Sequence, residues 1–506
     1  MDRLINRRSF IGTVGSVAAA AFSINTVGIR KNGRKPNLLF LWTDQQRPDT
    51  MRVYGNTRIH TPNLNKLADE SVVFLNPYVS QPVCTPSRST VMTGLWPHTS
   101  GCTANNIPLP ASIPCFPEIL NDPDYRTGYF GKWHLGDEIF AQHGFQEWGS
   151  TEDGYSTHYR QGRDKHARSA YHHFLLSLGY KPDKTGDGVF SRGFAVRLPI
   201  EHCKPKFLEG KAVDFLARHR NDPFILYVNF LEPHSPVYGP LNEEHRPEDV
   251  DLPPNLNDPL EADEPLRYRL AQEKAEGKES QDESKWRRLI ARYWGMVTQV
   301  DRSVGAILKT LEDLGLDENT IVVYTSDHGN MLGAHRLMGK TVMYQESVRI
   351  PWMMRIPVFG RSQRLVRHPV GHIHMVPTLL DLMGRPMEGR FPGRSLLPLV
   401  RDGRPAEDRV FIEWNPANKK KKNVREQDEE SGVPKGAPDA SIRTVIMPDG
   451  WKLCLSDGDK SQLFDLKNDP WETTNLFYKN DYRHKAEALR REIHRWQETV
   501  KDTVTV

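Results

Sequence analysis

Cysteine is scarce in this chain of 506 residues, which contains only five, at positions 84, 102, 115, 203 and 454. No two of them form a CxxC pair, and none stands at a Cys/His spacing typical of zinc sites. This pattern argues against a structural zinc.

An excess of charge of one sign is also missing, because 68 Lys and Arg stand against 64 Asp and Glu, a net charge of +4. A nucleic-acid binder would carry a clustered basic face, so no nucleic-acid partner is expected. An anionic substrate stays open, since a local pocket can be positive on a nearly neutral protein. With 38% hydrophobic and 26% charged residues, the composition is globular and excludes collagen, coiled coil and wholesale disorder.

A long apolar run is lacking too. The stretch from about Ile11 to Ala21 is shorter than the roughly 20 residues that a membrane span needs. It follows Asn6-Arg7-Arg8-Ser9-Phe10, which resembles a twin-arginine export signal. Residues 1–30 are therefore predicted to be an export signal, with a bacterial periplasmic or extracellular destination. A short membrane anchor that is not cleaved is the alternative.

Short apolar runs alternate with helical patterns along most of the chain. Buried strands are predicted at 37–42, 72–74, 125–131, 224–230 and 320–324, and helices at about 61–70 and 286–314. This alternation predicts an α/β domain over residues 35–400, with a large mixed, mainly parallel sheet sandwiched by helices. A hairpin at 441–455 and a closing helix at 482–500 predict a smaller α+β subdomain over residues 401–506.

Polar side chains stand just past the carboxyl ends of these predicted strands, at Asp44, His134, His234, Asp327 and His328. Each alone has an ordinary explanation, because an Asp after a strand is often a helix cap and a lone His is often structural. Ligands bind at this edge of open α/β sheets, so the set together predicts a functional site.

The most informative string is Cys84-Thr85-Pro86-Ser87-Arg88, which closes on Thr93-Gly94. It resembles the maturation signature of the type I, formylglycine-dependent sulfatases, of the alkaline-phosphatase-like superfamily. Residues 125–134, with their Gly-Lys-x-His ending, resemble the second signature of that family, and Asp327-His328-Gly329 and Lys340 resemble later site positions. The resemblance extends from about residue 36 to residue 480.

The resemblance implies a sulfuric ester hydrolase. A maturation enzyme would convert Cys84 to formylglycine, whose hydrate attacks sulfur, and the substrate would be a sulfated small molecule or, given the predicted export, a sulfated carbohydrate. The resemblance also implies one calcium ion, held by Asp44, Gln45, Asp327 and His328 with residue 84 completing the shell.

Two of these ligands depart from the arylsulfatase form, which has Asp where this chain has Gln45 and Asn where it has His328. The Gln/His version resembles choline sulfatases and phosphonate monoester hydrolases, and it also occurs among carbohydrate sulfatases. Because it lowers the ligand charge, the metal is less firmly implied. Gln45 could also be a loop residue beside the site.

The resemblance implies cationic and acid–base roles for the remaining positions. Arg88 and Lys132 are expected to hold the hydrated aldehyde, and Lys340 to bind the sulfate. His134 is expected to be the base that regenerates the aldehyde, and His234 the acid that protonates the leaving oxygen.

Other functions stay open at this point. The same superfamily contains phosphodiester and phosphonate monoester hydrolases. A non-catalytic sulfated-glycan binder with the same fold is another alternative, but it would be expected to have lost Cys84, Arg88 or Lys132, and all three are present. The four other cysteines can pair in three ways or stay free. Residues 242–284 are predicted to form a long surface excursion, which either shapes the substrate pocket, as the resemblance implies, or is a plain solvated loop. Residues 418–430 are predicted to form a flexible charged loop, with binding of a polyanionic glycan by its basic residues as the alternative.

Overall fold

The computed structural model describes residues 33–506, apart from 185, 187, 279–281, 387–388, 406 and 417–439. The predicted export signal at residues 1–30 and the whole charged loop at 418–430 lie outside the described residues. No helix within the described ranges is long and apolar enough to cross a membrane.

The described residues form fourteen strands. They are β1 Asn37–Thr43, β2 Val72–Phe74, β3 Pro77–Tyr78, β4 Arg126–Gly131, β5 Glu147–Gly149, β6 Phe224–Phe230, β7 Thr320–Ser326, β8 Trp352–Arg355, β9 Arg364–Val366, β10 Val370–Gly371, β11 Val410–Trp414, β12 Ile442–Ile446, β13 Trp451–Ser456 and β14 Gln462–Asp465.

The same residues form thirteen α-helices. They are α1 Pro62–Asp69, α2 Cys84–Thr93, α3 Pro97–Ser100, α4 Phe116–Leu120, α5 Ala170–Ser177, α6 Arg192–Ala195, α7 Lys204–Arg218, α8 Leu266–Lys278, α9 Glu283–Asp313, α10 Gln345–Val348, α11 Met375–Leu382, α12 Leu397–Asp402 and α13 Arg483–Val500.

Eight strands form the central sheet, in the order β5-β4-β6-β1-β7-β8-β2-β9. All neighbours run parallel except β8, which is antiparallel to both β7 and β2. β1 lies in the middle, where Phe40 pairs with Tyr227 of β6 and Val323 of β7. The predicted mixed, mainly parallel sheet is confirmed.

Helices cover both faces of this sheet, so its central strands are apolar on both sides. On one face Phe40 and Trp42 of β1 pack in a cluster with Met92 of α2 and Leu379 of α11. On the other face Leu39 of β1 joins residues of α7 and α9. The sandwich places all the carboxyl ends of the parallel strands at one rim, which is where the candidate site lies.

The C-terminal subdomain is a four-stranded antiparallel sheet in the order β11-β12-β13-β14, with α13 packed against it. Trp496 of α13 stacks on Phe411 of β11 at a centroid distance of 4.9 Å and meets Trp96 edge-on at 5.2 Å. The predicted hairpin and closing helix are present, while the flanking strands β11 and β14 were not predicted.

Two other sequence expectations have clear outcomes. The excursion at 242–284 contains the helix α8, whose Tyr268 is fully buried, so it is more ordered than a plain surface loop. All five cysteines lie within the described residues, and each is free and buried. The four cysteines other than Cys84 are therefore unpaired in this structure.

Candidate active site

The predicted site residues follow the ends of four neighbouring strands. Asp44 follows β1, Lys132 and His134 follow β4, His234 follows β6, and Asp327 and His328 follow β7. Because β4, β6, β1 and β7 are adjacent and parallel, their carboxyl ends open onto one space, as the sequence predicts. All these side chains are buried.

In both Asp44 and Asp327, the two carboxylate oxygens have different neighbours. Oδ2 of Asp44 accepts hydrogen bonds from Lys132 and Arg88, while its Oδ1 lies 3.9 Å from Cys84 Sγ. Oδ2 of Asp327 accepts from Arg88 Nε, while its Oδ1 lies 3.6 Å from His328 Nε2. One oxygen of each carboxylate is thus paired with a cation, and the other points towards a common centre.

Cys84 is the first residue of α2. Its thiol lies 3.3 Å from His328 Nε2 and 3.1 Å from Lys340 Nζ, with Lys132 Nζ at 3.9 Å. Thr85 N–H donates to Asn105 and Pro86 has no N–H, so the donors described at the thiol are the two lysines.

His328 presents one ring nitrogen to this centre. Its Nδ1 lies 2.9 Å from Gly329 O, and because a carbonyl can only accept, Nδ1 carries the proton. Nε2 is then left with a lone pair that faces Cys84, Asp44 and Asp327. Burial lowers the pKa of His328, which favours this neutral form.

The donor set fits one hard divalent cation. Atoms of Asp44, Cys84, Asp327 and His328 all lie within 4.8 Å of one another. Calcium takes oxygen ligands at about 2.3–2.6 Å, so two ligands on opposite sides of one ion stand about 5 Å apart. The backbone hydrogen bond of His328 is the kind of support that fixes a ligating imidazole.

Gln45 lies at the edge of this group. Its backbone N–H donates to Asp327 Oδ1, and its side-chain Oε1 accepts from Asn330 Nδ2. The residue adopts a left-handed φ of 69°. An amide oxygen has two lone pairs, so acceptance from Asn330 leaves one for a cation.

Arg88 is fully buried and lies one turn after Cys84, on the same face of α2. Its guanidinium donates to Asp44, Asp327, Asn229 Oδ1 and Lys132 O. Arg88 therefore ties the two carboxylates to the Lys132 turn. The sequence expectation that Arg88 holds the hydrated aldehyde at residue 84 stays a prediction.

The turn after β4 has an unusual backbone that aims Lys132 into the site. Gly131 has φ of 120°, and a Cβ there would lie 1.9 Å from Asn229 O, so only glycine fits. His134 is also left-handed, with φ of 58°. The buried carboxylate of Glu138 accepts from the N–H groups of Trp133 and His134 at 2.8 and 2.6 Å, which holds this turn.

His134 borders the same space from the side of β4. Its Nε2 lies 2.8 Å from Asn106 Oδ1, and its backbone carbonyl accepts from Thr85 Oγ1. The ring packs against Tyr155 at a centroid distance of 4.4 Å. These contacts keep His134 beside the first turn of α2.

His234 and Lys340 complete the opposite side, where their nitrogens lie 3.5 Å apart. His234 Nδ1 lies 2.8 Å from Ser235 O and must donate to it, so Nε2 is the nitrogen that faces the site. The loop of Lys340 is tied to the loop before Cys84 by Thr341 N–H, which donates to Pro82 O.

The charges of the site support one another. Burial by itself raises the pKa of Asp44, but Lys132, His234 and Arg88 hold this pKa well below its ordinary value. Burial lowers the pKa of Lys132, yet Asp44 raises it well above its ordinary value. The site therefore keeps Asp44 ionised and Lys132 protonated in a water-poor interior, where such charges act strongly on an anion.

Two supporting residues were missed by sequence reasoning. Asn229 was detectable in principle, because it is the one polar residue in the strand Phe224–Phe230 and lies beside the site. Glu138 had no such signal, since a carboxylate in a loop gives no sign that it will be buried against backbone N–H groups.

This fold and this site define an enzyme that acts on an anionic ester. Buried cations surround a nucleophile position and a candidate cation site at the active rim of an α/β sheet. Comparisons with known proteins agree with this class.

The profile of the sulfatase family matches residues 36–385 of this chain. The ulvan-active sulfatase of Formosa agariphila is 28% identical over 93% of this chain and 82% of its own length. The N-acetylglucosamine-6-O-sulfatase of Bacteroides thetaiotaomicron is 26% identical over 94% of this chain and 88% of its own length.

Among solved structures, the phosphonate monoester hydrolase of Agrobacterium radiobacter superposes with a TM-score of 0.74. It is 21% identical and covers 92% of this chain and 96% of its own, a likeness that establishes the fold. The chain belongs to the sulfatase family, and it is a sulfuric ester hydrolase.

Proposed function

We propose that this protein is an exported sulfatase that releases sulfate from a sulfated carbohydrate, with formylglycine made from Cys84 as its nucleophile. The observation that carries this proposal is the position of Cys84. It is buried at the start of α2, with Lys340 Nζ 3.1 Å from its thiol and the carboxylate pair beside it. The carbohydrate substrate is supported by the two relatives described above, and export by the twin-arginine-like string.

The proposed cofactor is one calcium ion, held by Asp44, Gln45, Asp327 and His328 together with residue 84. It would neutralise the negative charge of the sulfate group and its attacker. Two carboxylates, an amide oxygen and one imidazole favour a hard cation. The hydrated aldehyde at residue 84 would supply the oxygen nucleophile.

The other residues then have separate tasks. Lys340 holds the sulfate, and Lys132 keeps Asp44 ionised while it stabilises charge at residue 84. Arg88 fixes Asp44 and Asp327 in their places. His134 is proposed as the base that regenerates the aldehyde, and Asn106 orients its ring through the contact at Nε2.

His234 is proposed as the acid. Because its Nδ1 already donates to Ser235 O, it serves as an acid only in the imidazolium form, with the transferable proton on Nε2.

We also propose the division into a catalytic domain at 35–400 and a C-terminal subdomain at 401–506. The subdomain supports the site from outside: Lys452 forms an ion pair with Glu472, whose carboxylate accepts from Gln345 N–H in the segment after Lys340. This role needs no substrate contact.

A phosphonate monoester or phosphodiester hydrolase is the second candidate, favoured by Gln45 and His328 in place of Asp and Asn. Rates on 4-nitrophenyl sulfate and on a phenyl phosphonate monoester, with free sulfate release across sulfated mono- and oligosaccharides, separate the two. We expect sulfate release from a sugar to have the highest kcat/KM. A phosphonate monoester as the best substrate would reverse the assignment.

Chelation tests the metal. We expect EDTA to abolish activity and to lower the thermal midpoint, with both restored by calcium, because a bound ion stabilises the folded state by mass action. Asp44→Asn should lose the calcium-dependent shift in midpoint, and Asp69→Asn, on the exposed surface, should keep it. A midpoint and a rate unchanged by EDTA would contradict the metal site.

A further inference from the structure

A second cavity lies beside the candidate active site and has no part in the roles above. This side cavity has a volume of ≈470 Å³ and is lined by polar and charged side chains, namely Glu152, Asp153, Tyr155, Lys184, Arg192 and Lys204. Small-molecule sites commonly measure about 300–1,000 Å³, so a sugar unit fits this volume.

The side cavity adjoins the space around both proposed acid–base residues. Arg192 and Lys204 line the side cavity and also the cavity that contains His234. On the side of His134, Tyr155 forms the shared wall, since its ring packs on the imidazole at 4.4 Å. The hydroxyl of Tyr155 accepts from Arg192 Nη2 at 2.8 Å, so Arg192 is two contacts away from His134.

The charge of the side cavity is positive on balance. Arg192 Nε donates to one oxygen of Glu152 at 2.6 Å, and Lys204 Nζ donates to the other, so two cations share one carboxylate. Burial raises the pKa of Glu152, but Arg192 and Lys204 lower it to about 2. Lys184 adds a third cation to the lining.

The carboxylate of Asp153, the second in the lining, already accepts hydrogen bonds from a neighbouring residue. Asp153 accepts from the N–H of Ser169 at 2.6 Å and from its hydroxyl at 3.1 Å. The described lining therefore has three cations and two committed carboxylates. Aromatic rings of Tyr155 and Phe190 complete it and offer apolar contact to a ring.

We propose that the side cavity binds the sugar from which sulfate is released, and that Arg192 binds a second anionic group on that sugar, a carboxylate or another sulfate. This proposal rests on the sulfatase function proposed above. The leaving oxygen must lie at His234 to be protonated, so the rest of the leaving sugar extends from there, and the side cavity adjoins that point. The planar guanidinium of Arg192 suits both carboxylate and sulfate.

Matched substrates test this proposal. Each pair shares the scissile sulfate and differs by one further anion, such as N-acetyl-D-glucosamine 6-O-sulfate with D-glucosamine 2-N,6-O-disulfate, and galactose 4-O-sulfate with its 4,6-disulfate. The wild-type enzyme should show a higher kcat/KM on the dianionic member of the cleaved pair. Arg192→Gln should reduce that preference about tenfold, as expected for loss of a charge-assisted hydrogen bond.

The preference between the two substrates is decisive, because a purely structural role of Arg192 would slow both members equally. Arg197→Gln removes the same charge from an exposed residue that lines neither cavity, and it should leave the preference unchanged. Lys184→Gln, on the exposed rim, should lower the preference about threefold and keeps the test valid if Arg192→Gln does not fold.

The outcomes are distinct. Sulfate release from one pair without a preference for the dianionic member would overturn the anion subsite and leave the sulfatase function standing. If the preference for the dianionic member persists in Arg192→Gln, the second anionic group binds somewhere other than at Arg192. Release from no sulfated sugar at all, with turnover of a phosphonate monoester, would remove the proposed function and this inference with it.

Discussion

Replacing Cys84 with alanine should abolish sulfate release while the protein stays folded. Loss of a covalent nucleophile commonly costs on the order of 10⁴-fold or more in kcat. Cys84→Ala removes only one buried sulfur atom, so the free energy of unfolding should fall by no more than about 1–2 kcal/mol. Sulfate release by ion chromatography and a thermal melt measure the two effects.

Cys454→Ala is the matched control, because Cys454 is a buried cysteine in β13, far along the chain in the C-terminal sheet. It should lose comparable stability and keep its activity. Mass spectrometry of the residue-84 peptide, from a host with the maturation machinery, should find an aldehyde. Fully active Cys84→Ala enzyme, or active wild type that carries only the thiol, would contradict the mechanism.

Replacing Arg88 with methionine should have the largest effect on stability. The side chain is fully buried and pairs with Asp44 and Asp327, which are fully buried as well. Methionine fills similar space but leaves both carboxylates with less compensation. Removal of one partner from a buried ion pair typically costs about 3–5 kcal/mol, and the displaced carboxylates should also stop turnover.

Urea unfolding followed by tryptophan fluorescence measures this loss. Arg52→Met is the control: Arg52 pairs with Asp69 at 2.6 Å on the surface, with both side chains more than half exposed. Such a pair contributes about 1 kcal/mol or less. If calcium binds the two carboxylates, added calcium should recover part of the stability of Arg88→Met. An equal loss of unfolding free energy in Arg88→Met and Arg52→Met would mean that the ion pairs of Arg88 contribute little to stability.

The sheet and the site rim were predictable because their signals are local. Apolar runs such as Phe224–Phe230 mark buried strands, and polar residues just past their ends mark the carboxyl edge. The contacts of Arg88 were not predictable. Its place on α2 follows from spacing, but its hydrogen bonds to Asp44 and Asp327 depend on how three separate segments meet.

Other misses have the same origin. α8 was not predicted, because residues 242–284 are acidic, Pro-rich and poor in apolar residues, and only the burial of Tyr268 against the rest of the protein reveals why a helix forms there. Strands β11 and β14 are short and lie at the edges of their sheet, and only the hairpin between them has a clear sequence pattern. Glu138 stabilises the Lys132–His134 turn because its carboxylate is buried against backbone N–H groups, and no local sequence pattern indicates that burial.

The complete burial of Cys84 also limits when another enzyme can modify its thiol. Its side chain has no exposed surface once α2 lies on the sheet, so a separate enzyme can reach that thiol only in a chain that has not yet folded. A twin-arginine route carries folded proteins. On the proposed export route, oxidation of residue 84 would therefore take place in the cytoplasm, between synthesis and folding, and a chain that folds first would be exported without its nucleophile.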